Sequence, residues 1–165
     1  GSSIGMSKVD AFTGEFALAI EKAFKEDNQV LVEEMVEGRE FTVGVFRSAG
    51  NIIVLPLTEV KAHSDKAFFD FEAKYQGKST ETTPAEVDEV IADRIRDAAR
   101  KVYEVFNCRG VVRIDFIYNE KEESPYMLEV NTIPGQSEAS IVPEQVKVMG
   151  WSLQEFYTKL VEEVL

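Results

Sequence analysis

Between Thr13 and about Glu26, apolar residues recur every three to four positions. Phe16, Ile20, Ala23 and Phe24 fall on one face, which predicts an amphipathic helix. Asp27-Asn28-Gln29 ends that pattern, and Val30-Leu31-Val32 predicts a short strand entering the acidic stretch Glu33 to Gly38. Phe41-Thr42-Val43-Gly44-Val45-Phe46 is rich in β-branched and aromatic residues, and Ile52 to Leu55 returns after the turn residues Ser48-Ala49-Gly50-Asn51. The two runs predict a β-hairpin. From Lys61 to Thr82 the pattern breaks into a long polar segment that contains Phe68-Phe69-Asp70-Phe71. In a small domain, so long a stretch without periodicity predicts a functional lid rather than a linker.

Thr83-Pro84-Ala85-Glu86 reads as a capping box with proline at the first helical position. It predicts a helix running to about Phe106, with Val87, Val90, Ile91, Ile95, Ala98, Val102 and Val105 toward the core. Val111 to Tyr118 and Tyr126 to Val130 predict a second hairpin around the charged turn Asn119 to Ser124. Ser152-Leu153-Gln154-Glu155 opens a last amphipathic helix by the same capping logic. The order αββ-loop-αββ-α predicts an α+β fold, a largely antiparallel sheet with helices packed on one side. No internal repeat or low-complexity tract interrupts it.

The chain has 165 residues, about one domain, and 44% hydrophobic content is enough for a buried core. Thirty acidic residues against 18 basic ones give a formal net charge of −12. That balance argues against a phosphate-backbone binder, whose affinity comes from lysine and arginine, so no nucleic-acid partner is expected. A small anionic ligand remains compatible, because a few focused basic groups dominate their own surroundings. No apolar run approaches the ~18 residues a membrane helix needs, so no membrane partner is expected. No secretory leader is recognisable, and Cys108 is alone, which excludes a disulfide framework. A cytoplasmic location is the expectation.

Gly1-Ser2-Ser3-Ile4-Gly5-Met6 opens without an initiator methionine, inside a glycine-serine loop. Such loops cradle phosphates or oxyanions with backbone amides and hydroxyls, although short tags share the composition. The expectation is a chain cut from something longer.

The second hairpin carries the sharpest chemistry. Arg113 and Asp115 occupy alternate positions of one strand, and Glu129 and Asn131 alternate positions of the next; alternate positions share a face. Pairing of the strands would gather Asp115, Glu129 and Asn131 as three oxygen donors, a set that suits a hard cation such as Mg²⁺. Alternating charge on an edge hairpin is ordinarily just solvated. Here Val112, Ile114, Phe116, Leu128 and Val130 would bury the opposite face, and Glu129-Val130-Asn131 runs directly into the tight loop Thr132-Ile133-Pro134-Gly135. Those features favour the metal reading. Elsewhere, Glu33 to Val36 could offer backbone groups to a purine edge and Glu40 could reach a ribose. Lys74 could carry a mobile charge to phosphate. His63, the only histidine, has no nucleophile or ligand cluster spaced around it.

Taken together, these motifs resemble the ATP-grasp region of the D-alanine–D-alanine ligase family, over its C-terminal portion. The carriers are Gly1-Ser2-Ser3-Ile4-Gly5-Met6, Val32-Glu33-Glu34, Gly38-Arg39-Glu40, Phe68-Phe69-Asp70-Phe71-Glu72-Ala73-Lys74-Tyr75, Cys108-Arg109-Gly110-Val111-Val112-Arg113-Ile114-Asp115 and Glu129-Val130-Asn131-Thr132-Ile133-Pro134-Gly135. The resemblance implies an ATP-grasp C-terminal domain, with residues 1–30 closing the central subdomain and 31–165 forming the C-terminal catalytic subdomain.

It also implies an ATP-dependent ligation of two D-alanine molecules through an acyl phosphate, for peptidoglycan. By that resemblance ATP is held by Ser3, Glu33, Glu34, Met35, Val36, Glu40, Phe68 and Lys74, and two Mg²⁺ or Mn²⁺ ions by Asp115, Glu129 and Asn131. Arg113 and the Gly135 amide stabilise the developing oxyanion, Ser140 and Ile141 hold the second D-alanine, and Ser2 joins Tyr75 to close the lid. Tyr75 favours a dipeptide product over an ester, whereas Met35, Gln136 and Ile141 depart from the family's commoner residues. The family's N-terminal region lies outside this sequence, so the chain alone is not expected to ligate. The parent's oligomeric state stays open, a homodimer included. Two other readings remain: an ATP-grasp ligase taking D-lactate or D-serine second, and a non-catalytic acidic binding module.

Overall fold

The computed structural model describes residues 4–9, 13–62 and 79–165. They divide into two compact units, Gly1–Met35 with Lys61–Thr80, and Val36–Val60 with Glu81–Leu165.

In the first unit, α1 (Gly14–Ala23) forms where the periodicity predicts it, but buries none of its residues. Phe24, expected on its core face, is exposed. Lys22 Nζ donates to the Met6 carbonyl at 3.0 Å. Gly5 sits at φ +79°, where a Cβ would lie 2.9 Å from Glu26 Cγ, so only glycine takes that corner without strain. The strand expected over Val30-Leu31-Val32 does not form. Residues 29–37 are irregular, with Leu31 and Val32 exposed and no ladder partner among the described residues.

The sheet is built on β1 (Arg39–Ser48), which lies in the second unit and turns through Ala49 and Gly50 into β2 (Asn51–Val54). Both turn residues have positive φ, 49° and 76°, as a two-residue hairpin loop matched to strand twist requires. β3 (Thr58–Ala62), β4 (Ser79–Thr82), β5 (Val112–Asn119) and β6 (Ser124–Asn131) complete the set, in the order β4-β3-β1-β5-β6 with β2 also on β1. The pairs β1–β2, β1–β3, β1–β5 and β5–β6 are antiparallel. The end of β3 and all of β4 fall within the segment expected to be irregular from 61 to 82, which is therefore strand at both ends. Its middle, residues 63–78 with His63, Phe68, Lys74 and Tyr75, lies outside the described residues, as do Ser2 and Ser3.

Every residue from Phe41 to Phe46 is buried, so β1 is covered on both faces. Phe41, Val43 and Val45 pack with Val112, Ile114 and Phe116 beneath α2 (Glu89–Val105), which contributes Ala92, Ile95, Ala99 and Tyr103. On the other face Phe46 and Leu55 meet Val142 and Val146 of α3 (Ile141–Val148) and Phe156 of α4 (Leu153–Glu162). The expectation of helices on one side is therefore wrong: alternation along β1 sends apolar residues both ways, and each face takes a helical cover.

The start of α2 also differs from the expected capping box at Thr83. Ala85 N donates to the Leu57 carbonyl at 2.8 Å and Arg39 Nη2 to the Glu86 carbonyl at 2.8 Å, which holds this segment against the sheet. Asp88 supplies the cap instead, its carboxylate accepting from Val90 N at 2.8 Å. The buried stripe shifts with the later start, leaving Val90 and Val105 exposed. α3 is an element the periodicity did not predict; it is only eight residues long and carries a proline and a glutamine. α4 opens on the expected capping box, with Ser152 Oγ accepting from Glu155 N at 3.1 Å and Glu155 Oε2 from Ser152 N at 2.7 Å. Among the described residues no helix is long and apolar enough to cross a membrane.

Candidate active site

The register of the sheet assembles the site. Thr42 pairs with Asp115 and Gly44 with Arg113 across β1–β5, and Asp115 pairs with Glu129 and Arg113 with Asn131 across β5–β6. Directly paired residues share a face. All six therefore occupy the α3 side, while Ile114 and Val43 fill the core opposite. The register slips immediately beyond Asp115, because Phe116 pairs with Met127 and Leu128 is left over. Bulges of this kind bend a strand and redirect its side chains, and this one directly follows the carboxylate pair.

Asp115 is buried at 7% exposure and its charge is satisfied locally. Arg113 Nε donates to Oδ1 and Nη2 to Oδ2, both at 2.9 Å, and the buried Thr42 hydroxyl donates to Oδ1. Glu129 stands more open, its Oε1 3.9 Å from Arg113 Nη2. Burial alone would lower the Arg113 pKa, but the hydrogen bonds and charge of Asp115, then Glu129 and Glu81, raise it above its ordinary value. The guanidinium is a permanent cation here.

Thr42 is fixed from behind by a residue the sequence reading missed. Gln145 of α3 is fully buried; its Nε2 donates to the Thr42 carbonyl and to Thr58 Oγ1, each at 3.0 Å. Its Oε1 accepts from Gly44 N at 2.8 Å. A glycine inside an otherwise β-branched run was the available signal, because it marks close backbone approach.

Asn131 Oδ1 accepts from Ile133 N at 3.1 Å, which starts the loop toward Pro134 and Gly135. Ser140 Oγ lies 2.7 Å from Ser137 Oγ, and a Cβ on Gly135 would come within 2.8 Å of Ser140 Oγ. Gly135 and Ser140 border a cleft of ≈ 200 Å³ whose lining also includes the polar Glu81 and Arg113 and the apolar Pro134, Ala139 and Ile141. Arg113, Gly135, Ser140 and Ile141 thus meet at one cleft. Glu81 joins them without having been singled out.

Among the described residues no three His, Cys, Asp or Glu side chains cluster. The oxygen set is two carboxylates, Asp115 and Glu129, with the Asn131 amide. All-oxygen donors with few protein ligands suit Mg²⁺ or Mn²⁺. The candidate nucleotide residues are divided: Glu33, Glu34 and Met35 belong to the irregular exposed segment of the first unit, Val36 and Glu40 to the second unit.

The family profile described as "D-ala D-ala ligase C-terminus" matches residues 1–162. The D-alanine–D-alanine ligase of Flavobacterium johnsoniae is 45% identical over 162 residues, covering 98% of this chain and 49% of that protein. That of Porphyromonas gingivalis is 38% identical over 165 residues, covering 100% and 49%. The chain spans about half the length of these relatives. Among solved structures, the VanG D-Ala:D-Ser ligase of Enterococcus faecalis superposes with a TM-score of 0.84 at 35% identity, covering 98% of this chain and 46% of that one. D-alanyl-alanine synthetase A of Vibrio cholerae gives 0.82 at 32%, covering 99% and 49%. The antiparallel sheet and its helices are thus an ATP-grasp fold, and with the profile matched along nearly its whole length the chain belongs to the D-alanine–D-alanine ligase family, over the portion described as its C-terminus.

Proposed function

We propose that this chain is the C-terminal portion of an ATP-dependent ligase that joins two D-alanine molecules for peptidoglycan. The observation that carries the reading is the shared face of β5 and β6, where Arg113, Asp115, Glu129 and Asn131 adjoin the Gly135–Ser140 cleft. In this reading the carboxylate of one D-alanine takes the γ-phosphoryl group of ATP, and the amine of the second displaces phosphate from the acyl phosphate.

Arg113 and the Gly135 amide face the oxygen that gains charge during that displacement. Fixed donors lower such a barrier because they need no reorganisation as charge develops. Ser140 would take the carboxylate of the second D-alanine and Ile141 its methyl group. Asp115, Glu129 and Asn131 would hold Mg²⁺ or Mn²⁺, two ions in the full site, which supply charge neutralisation on the transferring phosphate. Glu33, Glu34, Met35, Val36 and Glu40 would receive adenine and ribose. Ser3, Phe68 and Lys74 would meet the nucleotide, and Ser2 with Tyr75 would close the lid; water exclusion protects an acyl phosphate. Residues 1–30 are read as the end of the central ATP-grasp subdomain and 31–165 as the catalytic one. The first D-alanine and further phosphate contacts are assigned to the N-terminal half that the relatives have. A homodimer of the whole protein is compatible with this reading.

The test is D-alanine-dependent phosphate release from Mg-ATP by a protein carrying this chain with that N-terminal half. Release that collapses in Asp115→Asn and Glu129→Gln supports the reaction and the ion site together. A folded protein with no release refutes the reading, and D-lactate or D-serine replacing the second D-alanine would redirect it.

A further inference from the structure

The cleft beside Gly135 carries a carboxylate, Glu81, on which Arg113 acts through its charge but which no side chain holds by a hydrogen bond among the described residues. Arg113 turns its Nε and Nη2 to Asp115, both at 2.9 Å. Glu81, an exposed residue on the same cleft, has no side-chain hydrogen bond or ion pair among the described residues. Burial raises its pKa first, the like charge of Glu144 raises it further, and Arg113 lowers it. A carboxylate in that position is stabilised by a cation that enters the cleft.

The remaining walls restrict what the cation belongs to. About 200 Å³, lined by Ser140 as well as by the apolar Pro134, Ala139 and Ile141, fits a small molecule with one apolar substituent. We propose that Glu81 is a specificity-determining residue of this cleft, receiving the α-ammonium group of the second amino acid and thereby selecting an amine over a hydroxy acid of equal size. The proposal rests on the ligase reading above and adds to it the chemical class that the second site accepts. A zwitterionic amino acid brings a positive group to Glu81. A hydroxy acid brings a neutral hydroxyl and a net negative charge, which Glu81 and Glu144 repel. Attraction to one ligand and repulsion of the other act in the same direction.

The experiment offers Mg-ATP, D-alanine and competing D-lactate to the protein carrying this chain with its N-terminal half, and measures dipeptide against ester. Glu81→Gln is expected to shift the product ratio toward the ester by roughly tenfold, the scale of one lost charged hydrogen bond. The shift should appear in KM for the second D-alanine more than in kcat. D-serine keeps the ammonium, so its ratio to D-alanine should stay unchanged. Glu81→Asp should restore most of the wild-type ratio. An unchanged ester ratio in an active Glu81→Gln enzyme overturns the proposal, as does a loss of activity that tracks only a lower Tm. A wild-type protein with no D-alanine-dependent phosphate release overturns the ligase reading, and the proposal falls with it.

Discussion

Arg113 and Asp115 form a two-pronged ion pair between alternate residues of one strand, Nε to Oδ1 and Nη2 to Oδ2 both at 2.9 Å. The pair is well shielded, with 21% and 10% of the side chains exposed. Forked geometry is specific to arginine, because lysine presents a single mobile ammonium. Arg113→Ala leaves the Asp115 carboxylate buried with only the Thr42 hydroxyl for company. It should cost about 2–3 kcal/mol in urea unfolding, the scale of a hydrogen bond to a charged group. Arg113→Lys should recover part of that stability. If Arg113 also stabilises the reacting oxygen, phosphate release in the full protein should fall by about 10²–10³-fold in either variant. Wild-type turnover in Arg113→Lys would remove it from the catalytic assignment.

The spacing of Arg113, Asp115, Glu129 and Asn131 made that face legible in the sequence, since strand alternation fixes which residues share a side once the hairpin pairs. The Ser152–Glu155 cap was equally legible, because both reciprocal bonds are local. Long-range contacts were not. Nothing near Thr83 reveals that Ala85 will bond to Leu57 and delay α2 to Asp88. Likewise Val30-Leu31-Val32 has strand composition, but a strand also needs a partner edge, which composition does not supply. Gln145 and Glu81 were missed for a related reason. Each is an ordinary polar residue until the fold brings a distant segment against it.

Gln145 links α3 to two strands by one buried side chain that bonds Gly44 N, the Thr42 carbonyl and Thr58 Oγ1. Gln145→Met keeps the volume but takes this buried partner from Gly44 N and the Thr42 carbonyl, while Thr58 Oγ1 keeps its bond to Thr83 Oγ1 at 2.6 Å. A cost of about 2–4 kcal/mol follows from unsatisfied buried groups. Thr58→Val removes one of the three and should cost less. Because Thr42 also holds Asp115, Gln145→Met should weaken Mg-ATP-dependent thermal stabilisation of the full protein beyond the stability loss itself. An unfolding midpoint within about 0.5 kcal/mol of wild type, the range of ordinary surface substitutions, would contradict the bonding described.

Gly38 precedes β1 with no unusual backbone angle, yet a Cβ there would lie 2.1 Å from the Tyr118 carbonyl oxygen. Backbone cannot move aside as a flexible side chain does. Gly38→Ala should therefore cost about 3 kcal/mol or more through forced displacement of the β1–β5 ladder. Gly44→Ala meets the ends of side chains instead, Leu55 Cδ1 at 2.7 Å and Gln145 Oε1 at 3.0 Å, and should cost less. Denaturant midpoints of the two variants give the order. Equal losses would mean that the Tyr118 strand yields more readily than its central position in the sheet suggests.

Glu81 gives stability a pH dependence with a definite sign. Its pKa is raised on folding from an ordinary value of 4.5, by burial and then by Glu144. Between the unfolded and the raised native values the native chain binds more protons than the unfolded one, so stability falls as pH rises through that window. Below the unfolded value the group is protonated in both states and the penalty disappears. Glu81→Gln carries no such group. Relative to wild type it should therefore gain stability near neutral pH and gain nothing at about pH 3.5. Glu144→Gln should show the same sign more weakly, because it removes only the like-charge contribution. Urea midpoints measured at both pH values decide it: a Glu81→Gln difference that is constant with pH, or larger in acid, would show that the carboxylate carries no folding penalty in the cleft. The gain near neutrality, if seen without added substrate, would also identify Glu81 as a position where stability is sacrificed, the cost expected of a charge kept available for an incoming cation.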